Sequence, residues 1–193
     1  DPTKTQKVPA GGIEYMASMM RDLRKKNPNN ITVSAGDLIG ASPLLSSLFR
    51  DEPTIEAMNR LGLSISAVGN HEFDKGRDEL LRKQNGGCDP KSGCPFGTFE
   101  GAKFNFLAAN VIDDKTGKTL FPSYVIREFD GVKVGFVGMT LEGTPTIVSP
   151  AGVRGLQFKN EAETVNRLVP ELKSQGVESI VVLLHEGGMQ AGG

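Results

Sequence analysis

Three apolar runs, each ending in a turn with a polar side chain, constrain the fold of this 193-residue chain most strongly. They are ITVSAGD at 31–37, SISAVGN at 64–70 and VESIVVLLHEGG at 177–188. Short apolar runs bounded by turn residues predict buried strands, and the segments between them show helical spacing of apolar residues. The alternation of strand, loop and helix predicts an α/β layer architecture.

The remaining pattern adds helices and further strands to this frame. Helices are predicted within 11–26, 43–50, 52–62, 71–84 and 160–176, and FNFLAANV at 104–111 is predicted to be one strand. The segment at 124–140 predicts two strands joined at Asp130-Gly131, which is a strong hairpin signal. This hairpin makes the predicted sheet mixed.

The overall charge argues against two classes of partner. The chain carries 22 Lys and Arg against 23 Asp and Glu, a formal net charge of −1. A protein of this charge lacks a broad basic surface for a nucleic-acid polymer. No run approaches the roughly 18 apolar residues that a membrane-spanning helix requires, so we expect no membrane span.

The two cysteines, Cys88 and Cys94, lie six positions apart in a loop-like run rich in Gly, Pro, Asp and Ser. A small disulfide loop is favoured over two free thiols. A structural zinc site would need four Cys or His ligands, and the chain has only two histidines. A disulfide would favour an oxidising compartment and therefore export.

The polar residues at the three strand ends are Asp37, Asn70 followed by His71, and His185. Loops at the carboxyl ends of strands in an open α/β sheet meet in one crevice, so these residues are candidates for one site. Carboxylate, amide oxygen and imidazole suit Mn, Fe, Zn or Co. Taken singly, Asp37, Asn70 and Asp74 also fit helix caps, and His185 fits a structural histidine. Their joint placement favours the metal site.

The motifs GDLIGASP at 36–43, GNHEFDKG at 69–76 and LLHEGG at 183–188 resemble those of the calcineurin-like metallophosphoesterases. The resemblance is closest to the secreted 5′-nucleotidase and 2′,3′-cyclic-nucleotide phosphodiesterase branch. It implies a mixed-sheet αββα sandwich and two divalent metal ions, drawn from Mn, Zn, Fe, Co or Mg. It also implies a small-molecule nucleotide substrate.

The same resemblance implies a role for each matching residue. Asp37 would bridge the two metal ions, and Asn70 and His185 would bind one of them. His71 would face the phosphate and stabilise the transition state or help to protonate the leaving oxygen. Asp74, three residues later, would orient that imidazole. Glu72 belongs to the motif but is expected to have no catalytic role.

Some family motifs are absent from the sequence. No histidine precedes His71, so the first-strand Asp-x-His motif is missing. The final Gly-His-x-His motif and the C-terminal nucleotide-binding domain are missing too. We therefore expect 1–193 to be a catalytic-core fragment, incomplete at both ends, with a partial or empty metal site and no activity alone. Its exposed sheet edge is expected to close by dimerisation or by a segment swap.

Two other functions are weighed against hydrolysis of 5′-monophosphates or 2′,3′-cyclic phosphates. One is a metal-poor, phosphoesterase-like binding or interaction module without catalysis, which the missing ligands favour. The other is a dinucleotide-binding dehydrogenase, which is disfavoured because the Gly-rich segments lack GxGxxG spacing. The His71 and Asp74 pair favours an enzyme. The family resemblance and the cysteine pair predict a secreted, periplasmic or cell-surface protein.

Overall fold

The computed structural model describes residues 11–94 and 97–187, in a chain that divides into two units, residues 1–30 and 31–193. Gly188, at the end of the third apolar run, lies outside the described residues. The first unit contains one helix, α1 (Ile13–Lys26), as predicted. Arg24, Lys25 and Lys26 form its last turn, where cations complement the negative end of the helix dipole.

In the second unit, residues 31–94 and 97–187 contain four further α-helices and eight strands. Its helices are α2 (Leu44–Ser47), α3 (Glu52–Leu61), α4 (Arg77–Asn85) and α5 (Glu161–Ser174). Its strands are β1 (Val33–Ser34), β2 (Ile65–Ala67), β3 (Asn105–Leu107), β4 (Val111–Asp113), β5 (Tyr124–Phe129), β6 (Val132–Thr140), β7 (Leu156–Phe158) and β8 (Ser179–His185). None of the described helices is long and apolar enough to cross a membrane.

The described strands form three sheets. β1, β2 and β3 make a parallel sheet in that order, and β4 pairs with β7 antiparallel. The predicted hairpin is confirmed as β5 and β6, and β8 runs parallel to β6. The sheet that contains the hairpin is therefore mixed, as expected, whereas the first sheet is purely parallel.

The layers follow from three clusters of buried side chains. Ile65, Leu107, Phe136 and Leu183 pack between the β1–β2–β3 and β5–β6–β8 sheets. The outer face of the first sheet contacts α3 and α4 in a larger cluster that contains Ile55, Leu80 and Phe106. Leu168 and Leu172 of α5 pack against β6 on the far side. The order of layers is helix, sheet, sheet, helix, which confirms the predicted αββα sandwich.

Two predicted elements are interrupted. FNFLAANV is not one strand, because β3 ends at Leu107 and β4 begins at Val111. The helix predicted at 71–84 is a 3₁₀ turn at His71–Phe73, followed by Gly76 at φ 89° and then α4. A positive φ is easily reached only by glycine, and it ends the first turn there.

β8 also differs from its prediction as a buried strand. Only Leu183 among its residues is fully buried, and Val181, Val182 and Leu184 keep 37–43% of their surface exposed. Within the described residues β8 pairs with β6 alone, so it forms an edge of its sheet. The apolar run correctly predicts a strand. It does not distinguish a central strand, which pairs on both sides, from an edge strand, which pairs on one side.

Candidate functional site

The ends of strands from two different sheets bring the predicted metal ligands together. Asp37 follows β1, Asn70 follows β2, and His185 is the last residue of β8. Nε2 of His185 lies 3.2 Å from Oδ2 of Asp37 and 3.1 Å from Oδ1 of Asn70. Side chains separated by up to 148 positions thus meet at one edge of the sandwich.

The tautomer of His185 follows from its other ring nitrogen. Nδ1 lies 2.9 Å from the backbone carbonyl oxygen of Ala35. A carbonyl oxygen only accepts hydrogen bonds, so Nδ1 carries a proton. In the neutral ring the lone pair is then on Nε2, the atom that faces Asp37 and Asn70. A backbone carbonyl on the non-ligating nitrogen is a common way to fix a metal-binding histidine.

The three facing atoms are the donor set of a hard or borderline cation. A carboxylate oxygen and an amide oxygen both lie within 3.2 Å of an imidazole nitrogen that carries a lone pair, and a proton or a cation between them would satisfy all three. These residues therefore fit one divalent metal ion. Among residues 11–94 and 97–187, no group of three or more His, Cys, Asp or Glu side chains is arranged to hold a metal, and this set contains two such side chains together with an asparagine.

The other predicted pair is also in contact. Nδ1 of His71 lies 2.8 Å from Oδ2 of Asp74, within the 3₁₀ turn and its C-cap. The hydrogen bond to Asp74 raises the pKa of His71, against a smaller opposing effect of burial, and the charges of Asp37 and Glu72 raise it further. This environment favours the imidazolium form, which can donate from Nε2 to an anion.

The alternative of helix capping finds little support at these positions. Neither Asn70 nor Asp74 caps a helix through its side chain, since the 3₁₀ turn has no side-chain cap and Gly76 is the N-cap of α4. Asp37 does contact the 3₁₀ turn, because its Oδ1 accepts a 3.0 Å hydrogen bond from the backbone N–H of His71. That bond connects the metal-ligand group to the histidine pair.

Glu72 occupies a central position that the sequence does not reveal. Its side chain is 2% exposed, and its carboxylate accepts hydrogen bonds from the backbone N–H groups of Asp37, Leu38 and Gly69 at 2.7–2.9 Å. Burial raises the pKa of Glu72 to about 6, although the three N–H groups lower it. Glu72 therefore holds the turn after β1 against the turn after β2.

Two glycines permit the close approach of these turns. A Cβ on Gly69 would lie 2.7 Å from the backbone nitrogen of Asp37 and closer still to its Oδ1. Gly36 has φ 104°, and a Cβ there would lie 2.6 Å from the nitrogen of Gly69. Both glycines are required by the contact between the β1 and β2 turns.

A second buried network supports the end of β8. Thr140, the register partner of His185, donates from Oγ1 to the carbonyl oxygen of Val68 at 2.7 Å. The amide of Asn110 bonds both the N–H and the carbonyl of Thr140, at 2.9 and 2.6 Å. The break between β3 and β4 thus places Asn110 beneath the site, where its side chain bonds to Thr140 of the other sheet.

The cysteine pair forms the expected disulfide. Cys88 and Cys94 are bonded with their Cα atoms 4.9 Å apart. Asp89 inside the loop accepts hydrogen bonds from Lys91 and Ser92 and forms a 3.0 Å ion pair with Arg50. The loop is therefore closed covalently and also fixed to the turn before α3.

Known proteins resemble this chain over most of its length. The family model described as calcineurin-like phosphoesterase matches residues 9–190. The chain is 40% identical over 184 residues to the endonuclease YhcR of Bacillus subtilis, covering 94% of this chain and 15% of that protein. It is 32% identical over 195 residues to a 2′,3′-cyclic-nucleotide 2′-phosphodiesterase/3′-nucleotidase of Yersinia enterocolitica, covering 91% of this chain and 27% of that protein.

A solved structure shares the same fold. The 5′-nucleotidase precursor of Thermus thermophilus superposes with a TM-score of 0.74 at 29% identity, covering 92% of this chain and 32% of that one. The chain thus spans between about a seventh and a third of the length of these three relatives.

Proposed function

Because this chain belongs to the calcineurin-like phosphoesterase family, we propose that it carries the site for metal-dependent hydrolysis of nucleotide phosphate esters. The substrates are 5′-monophosphates or 2′,3′-cyclic phosphates, in line with the names of the Yersinia and Thermus relatives. The observation that carries the proposal is the meeting of Asp37, Asn70 and His185 beside the His71–Asp74 pair.

Each residue has a defined task in this proposal. Asn70 and His185 would hold one divalent ion, and Asp37 would be shared between that ion and a second one. Such ions, Mn, Zn, Fe, Co or Mg, lower the pKa of a bound water and stabilise charge on phosphoryl oxygens. Glu72 and Gly69 keep Asp37 within reach of Asn70, so the donor atoms are positioned before the ion binds.

His71 supplies the proton of the reaction. Asp74 accepts the hydrogen bond from Nδ1, so Nε2 is left as the donor toward the substrate. A proton held at Nε2 stabilises the phosphoryl oxygens and then passes to the leaving oxygen, which is general acid catalysis. Because the pKa of His71 is raised, the imidazolium persists to higher pH than in an isolated histidine.

We expect the 193-residue chain to bind one divalent ion and to have no hydrolytic activity alone. Asp37, Asn70 and His185 supply three donors, enough for one ion. No group of three or more His, Cys, Asp or Glu side chains among the described residues offers a second position. A two-metal phosphatase needs both ions to stabilise the attacking and the leaving oxygens. The alternative is a binding module that retains the fold without catalysis.

The test combines metal titration with hydrolysis. Calorimetric titration of the 193-residue chain with Mn²⁺ should give one equivalent, lost in Asp37→Asn and kept in Asp22→Asn, whose carboxylate is exposed. A chain extended with an Asp-x-His strand and a Gly-His-x-His run should hydrolyse AMP or 2′,3′-cyclic AMP only with Mn²⁺. Metal binding without hydrolysis in the extended chain would favour the binding module. Two equivalents on the short chain would contradict the single-ion proposal.

Location and assembly are part of the same proposal. The Cys88–Cys94 disulfide and the precursor form of the Thermus relative support a secreted, periplasmic or cell-surface protein. The partly exposed Val181, Val182 and Leu184 on the edge strand β8 support a homodimer through that edge. Light scattering that shows a monomer at micromolar concentration would exclude the dimer.

A further inference from the structure

A pocket next to the histidine pair is lined mainly by cations. It has a volume of about 380 Å³, and its walls come from three segments: 75–78 at the start of α4, Lys115 in the loop after β4, and 151–155 before β7. Lys75, Arg77, Lys115 and Arg154 all line it, against one carboxylate, Asp78. Asp51 and Asp113 pair with Lys75 and Arg77, so the excess of positive charge at the pocket comes from Lys115 and Arg154.

Two of the four cations are held in place by carboxylates. Lys75 donates to buried Asp51 at 3.0 Å, and Arg77 forms 3.1 Å ion pairs with Asp113 and Asp78. Lys115 and Arg154 are exposed, and no carboxylate within ion-pair distance is found for either among the described residues. The pocket therefore offers two fixed cations and two cations that are available to a ligand.

The backbone that carries these side chains is also fixed. Asp113 accepts from Arg77 through Oδ2, and its Oδ1 accepts from the backbone N–H of Lys115 at 2.8 Å. The backbone N–H of Asp114 donates to the carbonyl of Gly155 at 2.9 Å. The loop with Lys115 and the loop with Arg154 are thus joined to each other and to α4.

The pocket also reaches the amino end of α4. The N-cap residue, Gly76, provides no side chain, and a Cβ placed on it would meet nothing within 4 Å. The first N–H groups of a helix carry partial positive charge and have no partners within the helix. An anion in the pocket would find these groups uncovered, together with the guanidinium of Arg77.

The pocket and the His71–Asp74 pair lie on either side of Lys75. This residue follows Asp74 directly, and it also lines a small cavity with His71 and Asp74 on its other side. The 151–155 loop is packed against the same segment, since a Cβ on Gly152 would collide with the carbonyl oxygen of Phe73. A substrate bound at His71 would therefore have its neighbouring groups close to the cationic pocket.

We propose that this pocket binds a phosphate group, and that the group belongs to the substrate beyond the ester that is cleaved. Guanidinium groups, an ammonium group and helix N–H groups together match the several oxygens of phosphate better than they match a carboxylate. Substrates with a second phosphate would then bind more tightly than monophosphates. The preference for substrates with a second phosphate rests on the proposed function, whereas the binding of phosphate in the pocket does not.

The first experiment tests the pocket without the metal site. In EDTA and at constant ionic strength, inorganic phosphate should shift the backbone amide NMR signals of residues 76–78 and 155 saturably. The double variant Lys115→Gln/Arg154→Gln should weaken this binding at least about tenfold, the effect of losing about 1.4 kcal/mol. Lys118→Gln, on the same loop but outside the pocket lining, should have no effect. If no saturable shift is seen, or if the double variant binds phosphate equally well, the proposal that this pocket binds phosphate is overturned.

The second experiment identifies the source of the phosphate. With Mn²⁺ present, ADP should bind the wild-type chain more tightly than AMP, and adenosine should not bind the pocket. The difference between ADP and AMP should vanish in the double variant. If inorganic phosphate binds but ADP and AMP bind with equal affinity, the pocket is a site for free phosphate. That result would overturn the proposal that the bound phosphate belongs to the substrate. Neither readout depends on turnover, so loss of the proposed hydrolysis is seen separately.

Discussion

The carboxylate of Glu72 accepts a 2.9 Å hydrogen bond from the backbone N–H of Asp37, a residue 35 positions earlier in the chain. The same oxygen accepts from the N–H of Gly69 at 2.7 Å, and the other accepts from Leu38. One buried side chain thus sets the separation between the turn that carries Asp37 and the turn that carries Asn70. Glu72 acts through other residues and is a positioning residue.

Replacement of Glu72 by glutamine should loosen the metal site. Glutamine keeps one acceptor oxygen, but its NH₂ group would face a backbone N–H that then has no acceptor. An unsatisfied buried donor costs about 1–3 kcal/mol, and we expect the free energy of unfolding to fall by about that amount. Loss of support for metal ligands typically weakens metal affinity about 10–100-fold. Urea unfolding and Mn²⁺ calorimetry measure the two effects.

The matched control for this variant is Glu56→Gln on the exposed side of α3. It removes the same charge without removing a buried hydrogen-bond acceptor. It should therefore change neither the free energy of unfolding nor the affinity for Mn²⁺ appreciably. If Glu72→Gln unfolds in parallel with the wild type and binds Mn²⁺ equally well, Glu72 does not position Asp37.

The charge of His71 can be followed directly, because the chain has only two histidines. The hydrogen bond to Asp74 is the main reason for the raised pKa of His71. Asp74→Asn should therefore lower this pKa toward the ordinary value of about 6.5. The imidazolium would then be lost at lower pH, and any activity that needs it would decline at lower pH too. NMR titration of the imidazole protons measures the shift.

His185→Asn assigns the remaining histidine signal and serves as the reference for this titration. Asp78→Asn, an exposed carboxylate at the start of α4, is the control for removal of a negative charge nearby. A pKa of His71 that is unchanged in Asp74→Asn would show that the other carboxylates, Asp37 and Glu72, set its value.

The disulfide should contribute measurably to stability. Cys88 and Cys94 close a loop with a sequence separation of six, and the chain-entropy relation gives about 2 kcal/mol for a loop of this size. The double variant Cys88→Ser/Cys94→Ser should unfold at a lower temperature by several degrees, and dithiothreitol should lower the wild-type midpoint similarly. The double variant itself should not respond to dithiothreitol. A wild-type midpoint that is insensitive to full reduction would contradict the estimate.

The sequence predicts the ends of β1, β2 and β8 well because each apolar run stops at a glycine-containing turn. Turn chemistry and apolar runs are local signals, so the position of Asp37, Asn70 and His185 at strand ends is visible without a structure. The resemblance to known motifs adds the prediction that these three residues are metal ligands.

The sequence does not reveal the role of Glu72 or of Asn110. A glutamate between a histidine and a phenylalanine has no local reason to be buried, and its three N–H partners lie up to 35 residues away. Asn110 interrupts a predicted strand because its amide is used by Thr140, 30 positions later. The contacts of Glu72 form only when β1 and β2 pair, and those of Asn110 form only when the chain after β3 meets β6. No local sequence pattern therefore predicts either set.

The close approach of Gly69 to Asp37 can be tested with the substitution Gly69→Ala. The new Cβ would lie 2.7 Å from the backbone nitrogen of Asp37 and nearer to its Oδ1, the atom that also accepts from His71. The backbone of Asp37 has little freedom to yield, because Glu72 holds its N–H and its φ is already 53°.

We therefore expect Gly69→Ala to weaken Mn²⁺ binding at least tenfold and to lower the free energy of unfolding by about 1–3 kcal/mol, the usual cost of overpacking. Gly143→Ala is the matched control, because φ there is −71° and its Cβ would have no neighbour closer than 3.8 Å. The control should bind Mn²⁺ like the wild type. Equal Mn²⁺ affinities in Gly69→Ala and Gly143→Ala would show that the two turns can separate without cost to the ligand set.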